Sequence, residues 1–154
     1  MKIYLYASIF LIGLTACGFK PLNQLKQESY FVEKVELSGD KRIGYVIKNE
    51  ISLNSFPGAK NIISVKLDVN KRKEIKEKNV AGNISSYTII LDIDFYLENM
   101  ENSKKIEKKF IKSASYNVAN NHSDTLSNEK NTTKNLSEET TKDIINFLTI
   151  YLSN

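Results

Sequence analysis

Two alternating segments are the clearest pattern in the chain. Ile63, Val65, Leu67 and Val69 alternate with Ser64, Lys66 and Asp68, and Ile89, Leu91, Ile93, Phe95 and Leu97 alternate with Ile90, Asp92, Asp94, Tyr96 and Glu98. A side-chain period of two sends each set to one side of a sheet, which predicts two strands with one buried and one largely polar face. The connecting stretch Asn70–Ser86 is too long for a structureless loop in a compact domain. The strands are therefore expected to run on past the core as a long hairpin with its tip near Asn79–Gly82. Upstream, Tyr30–Leu37 is aromatic and β-branched enough for a first strand, but Tyr30 and Val32 share one phase while Val35 and Leu37 take the other. Such a slip predicts a bulge.

Helical spacing marks two further segments. Ser38-Gly39-Asp40 offers a turn and a cap, and Ile43, Val46, Ile47 and Ile51 follow at intervals of three and four, predicting a helix over Asp40–Asn54 that ends before Pro57-Gly58. Asn99–Ser103 makes a turn into a fourth strand, Lys105–Val118. Leu126, Thr133, Leu136, Thr140, Ile144, Phe147, Leu148 and Tyr151 then predict one long helix from about Asp124. Its first half is rich in Asn, Ser and Thr, weak helix formers, so its first two turns are expected to fray; Ser137 is the alternative cap. The order β-α-β-β-β-α specifies an α+β fold: a two-layer sandwich, its four-stranded and mainly antiparallel sheet carrying two helices on one face. Val65, Leu67, Leu91, Ile93 and Phe95 are expected to pack against Ile47, Ile51, Ile144 and Leu148.

The amino-terminal stretch follows different rules. Lys2 precedes an apolar run, Ile3–Leu14, and then Leu14-Thr15-Ala16-Cys17-Gly18. At ~1.5 Å per residue the run covers roughly 18 Å, short of the ~30 Å hydrocarbon core. It reads as a secretory signal, residues 1–16, rather than a span. Leucine, two small residues and cysteine form a bacterial lipobox, in which the cysteine sulfur takes a diacylglycerol. Cys17, the only cysteine in the chain, is thus expected to carry a diacylglycerol and an N-acyl chain. One acyl chain holds a membrane weakly and two or more hold firmly, so the protein would be anchored without a transmembrane helix. Gly18, in place of an aspartate, favours sorting to the outer membrane. Residues 17–29, with Pro21, read as a tether, and residues 30–154 as one domain.

Charge narrows the partners. The chain has 22 basic and 18 acidic residues, and loss of Lys2 with the signal leaves a modest positive surplus. Arg42 and Arg72 are the only arginines; the heavy use of lysine, asparagine and isoleucine suits an AT-rich genome. Export removes nucleic acid as a partner, and the Asn-x-Ser/Thr sequons at Asn83, Asn121, Asn131 and Asn135 are incidental in a lipobox protein. His122 is the sole histidine, so neither a second histidine nor a second cysteine exists to complete a metal site of that kind. No nucleophile–base pair, glycine-rich phosphate loop or apolar carboxylate pair is present. An enzyme is not expected, nor any cofactor or metal. Asp92 and Asp94 share one strand face and read as part of a solvated charge ladder with Lys66 and Asp68 opposite.

The lipobox followed by Gly-Phe-x-Pro (Cys17-Gly18-Phe19-Lys20-Pro21-Leu22), the element order, and Ala114-Ser115-Tyr116-Asn117 before a long final helix together resemble the LPS-assembly lipoprotein family, LptE, of alphaproteobacterial type. The resemblance implies a plug and assembly partner inside the outer-membrane β-barrel LptD, on the periplasmic side, serving lipopolysaccharide transport to the cell surface. It further implies lipopolysaccharide contacts on the second hairpin and fourth strand, here Lys71, Arg72 and Lys73 with Lys109 and Lys112. Clustered exposed cations suit lipid A phosphates; a solvated face in a lysine-rich chain accounts for the same residues equally well. Two other readings stand beside this one. An auxiliary lipoprotein of an ABC-type lipid transport system would share the lipobox and mixed fold, and a lipid-anchored periplasmic hydrolase would need a catalytic constellation.

Overall fold

The computed structural model describes residues 30–153; the lipobox, Cys17 and the tether lie outside them. The elements are β1 (Phe31–Gly39), α1 (Lys41–Leu53), β2 (Ile62–Lys78), β3 (Ile84–Asn99), β4 (Lys105–Asn117) and α2 (His122–Leu152). They form a four-stranded mixed sheet in the order β1-β2-β3-β4. β1 runs parallel to β2, while the β2–β3 and β3–β4 pairs are antiparallel. A parallel pair needs a crossover, and α1 supplies it. The expected bulge is found: the β1 register shifts between Val32 and Lys34, which brings Val35 and Leu37 to the helix side.

Local chemistry sets the ends of the elements. Asp40 Oδ1 accepts from the amides of Arg42 and Ile43 at 3.0 and 3.2 Å, capping α1. Gly39 precedes it at φ 76°. A side chain there would run into the carbonyl of Val69, which accepts from the Asp40 amide at 2.7 Å. At the long hairpin, Asn79 Oδ1 accepts from the Ala81 and Asn83 amides at 3.1 and 2.9 Å, and Gly82 takes φ 84°. The tip is where the pattern placed it.

The buried face is the expected one. Ile63, Val65, Leu67, Val69, Ile89, Leu91, Ile93 and Phe95 are essentially inaccessible, as are Ile47, Ile51, Ile144 and Leu148 on the helices. Phe95, Phe110 and Phe147 meet edge to face with centroids 5.9 to 6.0 Å apart, a favoured aromatic arrangement. Among the described residues, no helix lies on the other side of the sheet.

α2 begins at His122, two residues before the expected start, and runs unbroken for 31 residues. Asn121 caps it, accepting from the Asp124 amide at 2.8 Å. Ser137 lies inside the helix, not at a start, and its hydroxyl donates to Thr133 O at 2.7 Å. Buried Thr140 and Thr141 likewise donate to Leu136 O and Ser137 O at 2.7 Å. Hydroxyls satisfied by their own helix can line an apolar interface without an unpaired group, which lets so polar a segment pack. Among the described residues no helix is long and apolar enough to cross a membrane.

Candidate ligand-binding surface

Strand alternation divides the five cations singled out by sequence. Lys71, Arg72 and Lys73 pair with Leu91, Ile90 and Ile89 of β3, and cross-strand partners share a face. Lys71 and Lys73 therefore stand with buried Leu91 and Ile89 on the helix side, and Arg72 stands on the open side. On β4, Lys112 pairs with Leu91 and Lys109 with Asp94, which puts Lys112 on the helix side and Lys109 on the open one. The five do not converge on one patch.

On the helix side the lysines hold the two layers together. Lys73 Nζ lies 2.8 Å from Glu129 Oε2 of α2, and Tyr116 OH donates to the same oxygen at 2.8 Å. Lys73 also sits 4.7 Å from the centroid of the Tyr87 ring, which stacks on Tyr116. The bond from Lys73 holds the Glu129 carboxyl below the usual carboxylate range and lifts Lys73 above the usual amine range. Lys112 reaches Asp143 at 2.9 Å and Glu139 at 3.8 Å, tying β4 to α2. Lys71 differs: it faces a groove between α1 and α2, beside Arg42 and Lys130.

On the open side, Lys109 Nζ bridges Asp92 and Asp94 at 3.2 and 3.3 Å. Hydrogen bonds to Asp92, then Asp94, raise the Lys109 pKa. Asp68 does lie opposite Asp94, but Lys66 lies opposite Tyr96. The cation serving the aspartates thus comes from β4 and not from β2. Arg72 pairs loosely with Glu74 at 3.6 Å, and Lys34–Glu36 and Lys105–Glu98 are further ion pairs of this face.

Arg42, Glu129 and Lys130 were absent from the sequence expectation. Nothing local marks them, because their relevance depends on which faces of α1 and α2 look toward β2. Among the described residues, no three His, Cys, Asp or Glu side chains group as metal ligands would, and His122 is exposed at the first position of α2.

No family model matches the chain, and no curated protein matches it either. Solved structures do. Rare lipoprotein B from Shewanella oneidensis is 12% identical with a TM-score of 0.53, over 78% of this chain and 93% of that one. A Caulobacter crescentus protein assigned as a lipoprotein is 15% identical, TM-score 0.58, over 84% and 94%. A minor lipoprotein from Acinetobacter baumannii is 9% identical, TM-score 0.57, over 80% and 94%. At these identities the likeness is one of fold, and it spans nearly the whole of each relative.

Proposed function

We propose that the chain is an LptE-type lipoprotein, held on the periplasmic side of the outer membrane by acyl chains on Cys17, that plugs the LptD barrel and assists lipopolysaccharide transport. The observation that carries this reading is the joining of a lipobox to a β-α-β-β-β-α sandwich of the same fold as rare lipoprotein B. The open sheet face supports it on physical grounds. Large membrane barrels have a polar lumen, and the polar open face, where Lys109 is shared by Asp92 and Asp94, suits such a lumen in character.

A pull-down of tagged full-length chain from solubilised total membranes, inner and outer together, tests the reading. The expected result is a detergent-stable complex with a large β-barrel protein. Recovery with an inner-membrane ATPase instead would overturn it in favour of an ABC-type lipid transport role.

A further inference from the structure

The seam between α1 and α2 opens, toward the start of α1, into a groove of about 610 Å³. Ile43, Val46 and Leu126 line it. Val46 is 42% exposed and Leu126 52%. A second hollow of about 490 Å³ shares Val46 and Glu138 with the first, but apart from Val46 and Ile145 its lining is polar, so the apolar part is confined to the first groove.

The rim is cationic. Arg42, Lys71 and Lys130 border the groove, and none of them forms a salt bridge among the described residues. The two acids there are already engaged. Glu129 is held by Lys73 and Tyr116, and Glu138 pairs with Lys134 at 3.8 Å. The surplus at the mouth is therefore positive.

An apolar groove bordered by three cations that form no salt bridge, Lys71 acting only as a more distant charge on Glu129, is complementary to an amphiphile with one anionic end. The volume lies within the roughly 300–1,000 Å³ of ordinary small-ligand sites. We propose that this groove binds an anionic glycerophospholipid, one acyl chain lying along Ile43, Val46 and Leu126 and the phosphate held by Arg42, Lys71 and Lys130. The site does not depend on the LptD reading, and a chain that seats such a lipid here does so whether or not it plugs a barrel.

Site-specific photocrosslinking tests this on the full-length lipidated protein in phosphatidylcholine vesicles containing a minority of phosphatidylglycerol. A benzophenone amino acid replaces Val46, or Ile111 on the open face as a control, and the adducts are identified by mass. Phosphatidylglycerol adducts at position 46 are expected to exceed that lipid's mole fraction roughly tenfold, the ratio that ~1.4 kcal/mol of headgroup preference produces. The triple variant Arg42→Gln/Lys71→Gln/Lys130→Gln should return the ratio to the mole fraction while keeping its circular dichroism and melting profile. An absent adduct at position 46, an equal preference at position 111, or a preference that survives in the triple variant would overturn the proposal. Adding lipid A to the vesicles supplies a further arm, since displacement of phosphatidylglycerol by lipid A adducts at position 46 would overturn the assignment to a glycerophospholipid. Barrel capture is read separately, so either idea can fail while the other stands.

Discussion

Lys73 of β2 and Glu129 of α2, 56 residues apart in sequence, meet at 2.8 Å and fasten the first half of the long helix to the overhanging hairpin. That half contributes few buried side chains before Leu136, so polar contacts carry much of its docking. The Glu129 carboxyl is stabilised in its charged form, chiefly by Lys73. A carboxyl with a lowered folded-state pKa adds stability that is present above its unfolded value and is lost as pH falls through the folded one. Glu129→Gln should therefore flatten the loss of stability below about pH 4.5, the ordinary value for this group. Because Lys73 is 43% exposed, a Lys73/Glu129 double-mutant cycle should return only about 0.5–1 kcal/mol. Amide exchange over residues 122–135 should rise in both single variants.

Tyr30 should control alkaline stability. It is buried, its hydroxyl has no hydrogen-bond partner among the described residues, and burial pushes its pKa up to about 12. A raised folded-state pKa gives stability that is present below the unfolded value near 10 and is lost as pH rises toward 12. Tyr30→Phe should remove that alkaline loss. At neutral pH it should leave stability unchanged or raise it by about 1–2 kcal/mol, since an unsatisfied buried hydroxyl is unfavourable. Chemical denaturation at pH 7 and pH 11 checks both expectations.

Gly39→Ala should be severe for an exposed position. The φ of 76° disfavours any side chain, and the new methyl would collide with the Val69 carbonyl. A cost of about 3 kcal/mol or more is expected from strain and displaced backbone together, read as a drop in the denaturation midpoint. Gly82→Ala shares the positive φ but meets open space, and should cost about 1 kcal/mol.

Leu91→Ala and Asp92→Ala are adjacent in sequence and should differ sharply. Leu91 is 1% exposed within the core, and truncation should cost about 2–5 kcal/mol. Asp92 faces the open side, where Asp94 remains to hold Lys109, so its loss should cost about 1 kcal/mol or less. Equal losses in urea denaturation would contradict the assigned faces.

The fold was legible where one sheet face is buried and the other wet. The alternation at Ile63–Val69 and Ile89–Leu97 follows directly from that asymmetry, and the phase slip near Val32 located a real bulge. The start of α2 was less legible because the Asn121 cap and the Glu129 anchor act through partners that residue propensities do not register. The candidate cations were less legible still. Lys71, Arg72 and Lys73 look like one cluster in a linear sequence, yet the same alternation that identified the strand sends Arg72 away from its neighbours. Which lysines are neutralised depends on Glu129, Asp143 and Asp92 arriving from other elements, and long-range pairing of that kind leaves no local trace. Groove residues such as Arg42 and Lys130 become neighbours only after α1 and α2 pack.

The uneven strand lengths have a consequence for crowding. β1 accompanies β2 only as far as Val69, so among the described residues no strand pairs with that edge of β2 from Asn70 to Lys78. Bare edges of that kind template intermolecular pairing. This one carries Lys71, Arg72, Lys73, Glu74, Lys76, Glu77 and Lys78, and an identical edge brought alongside would have to accommodate a dense, predominantly cationic row. The run thereby guards the chain against self-association at high local concentration, with or without a ligand. Replacing Lys71, Lys73 and Lys76 by threonine would convert a repellent edge into an adhesive one.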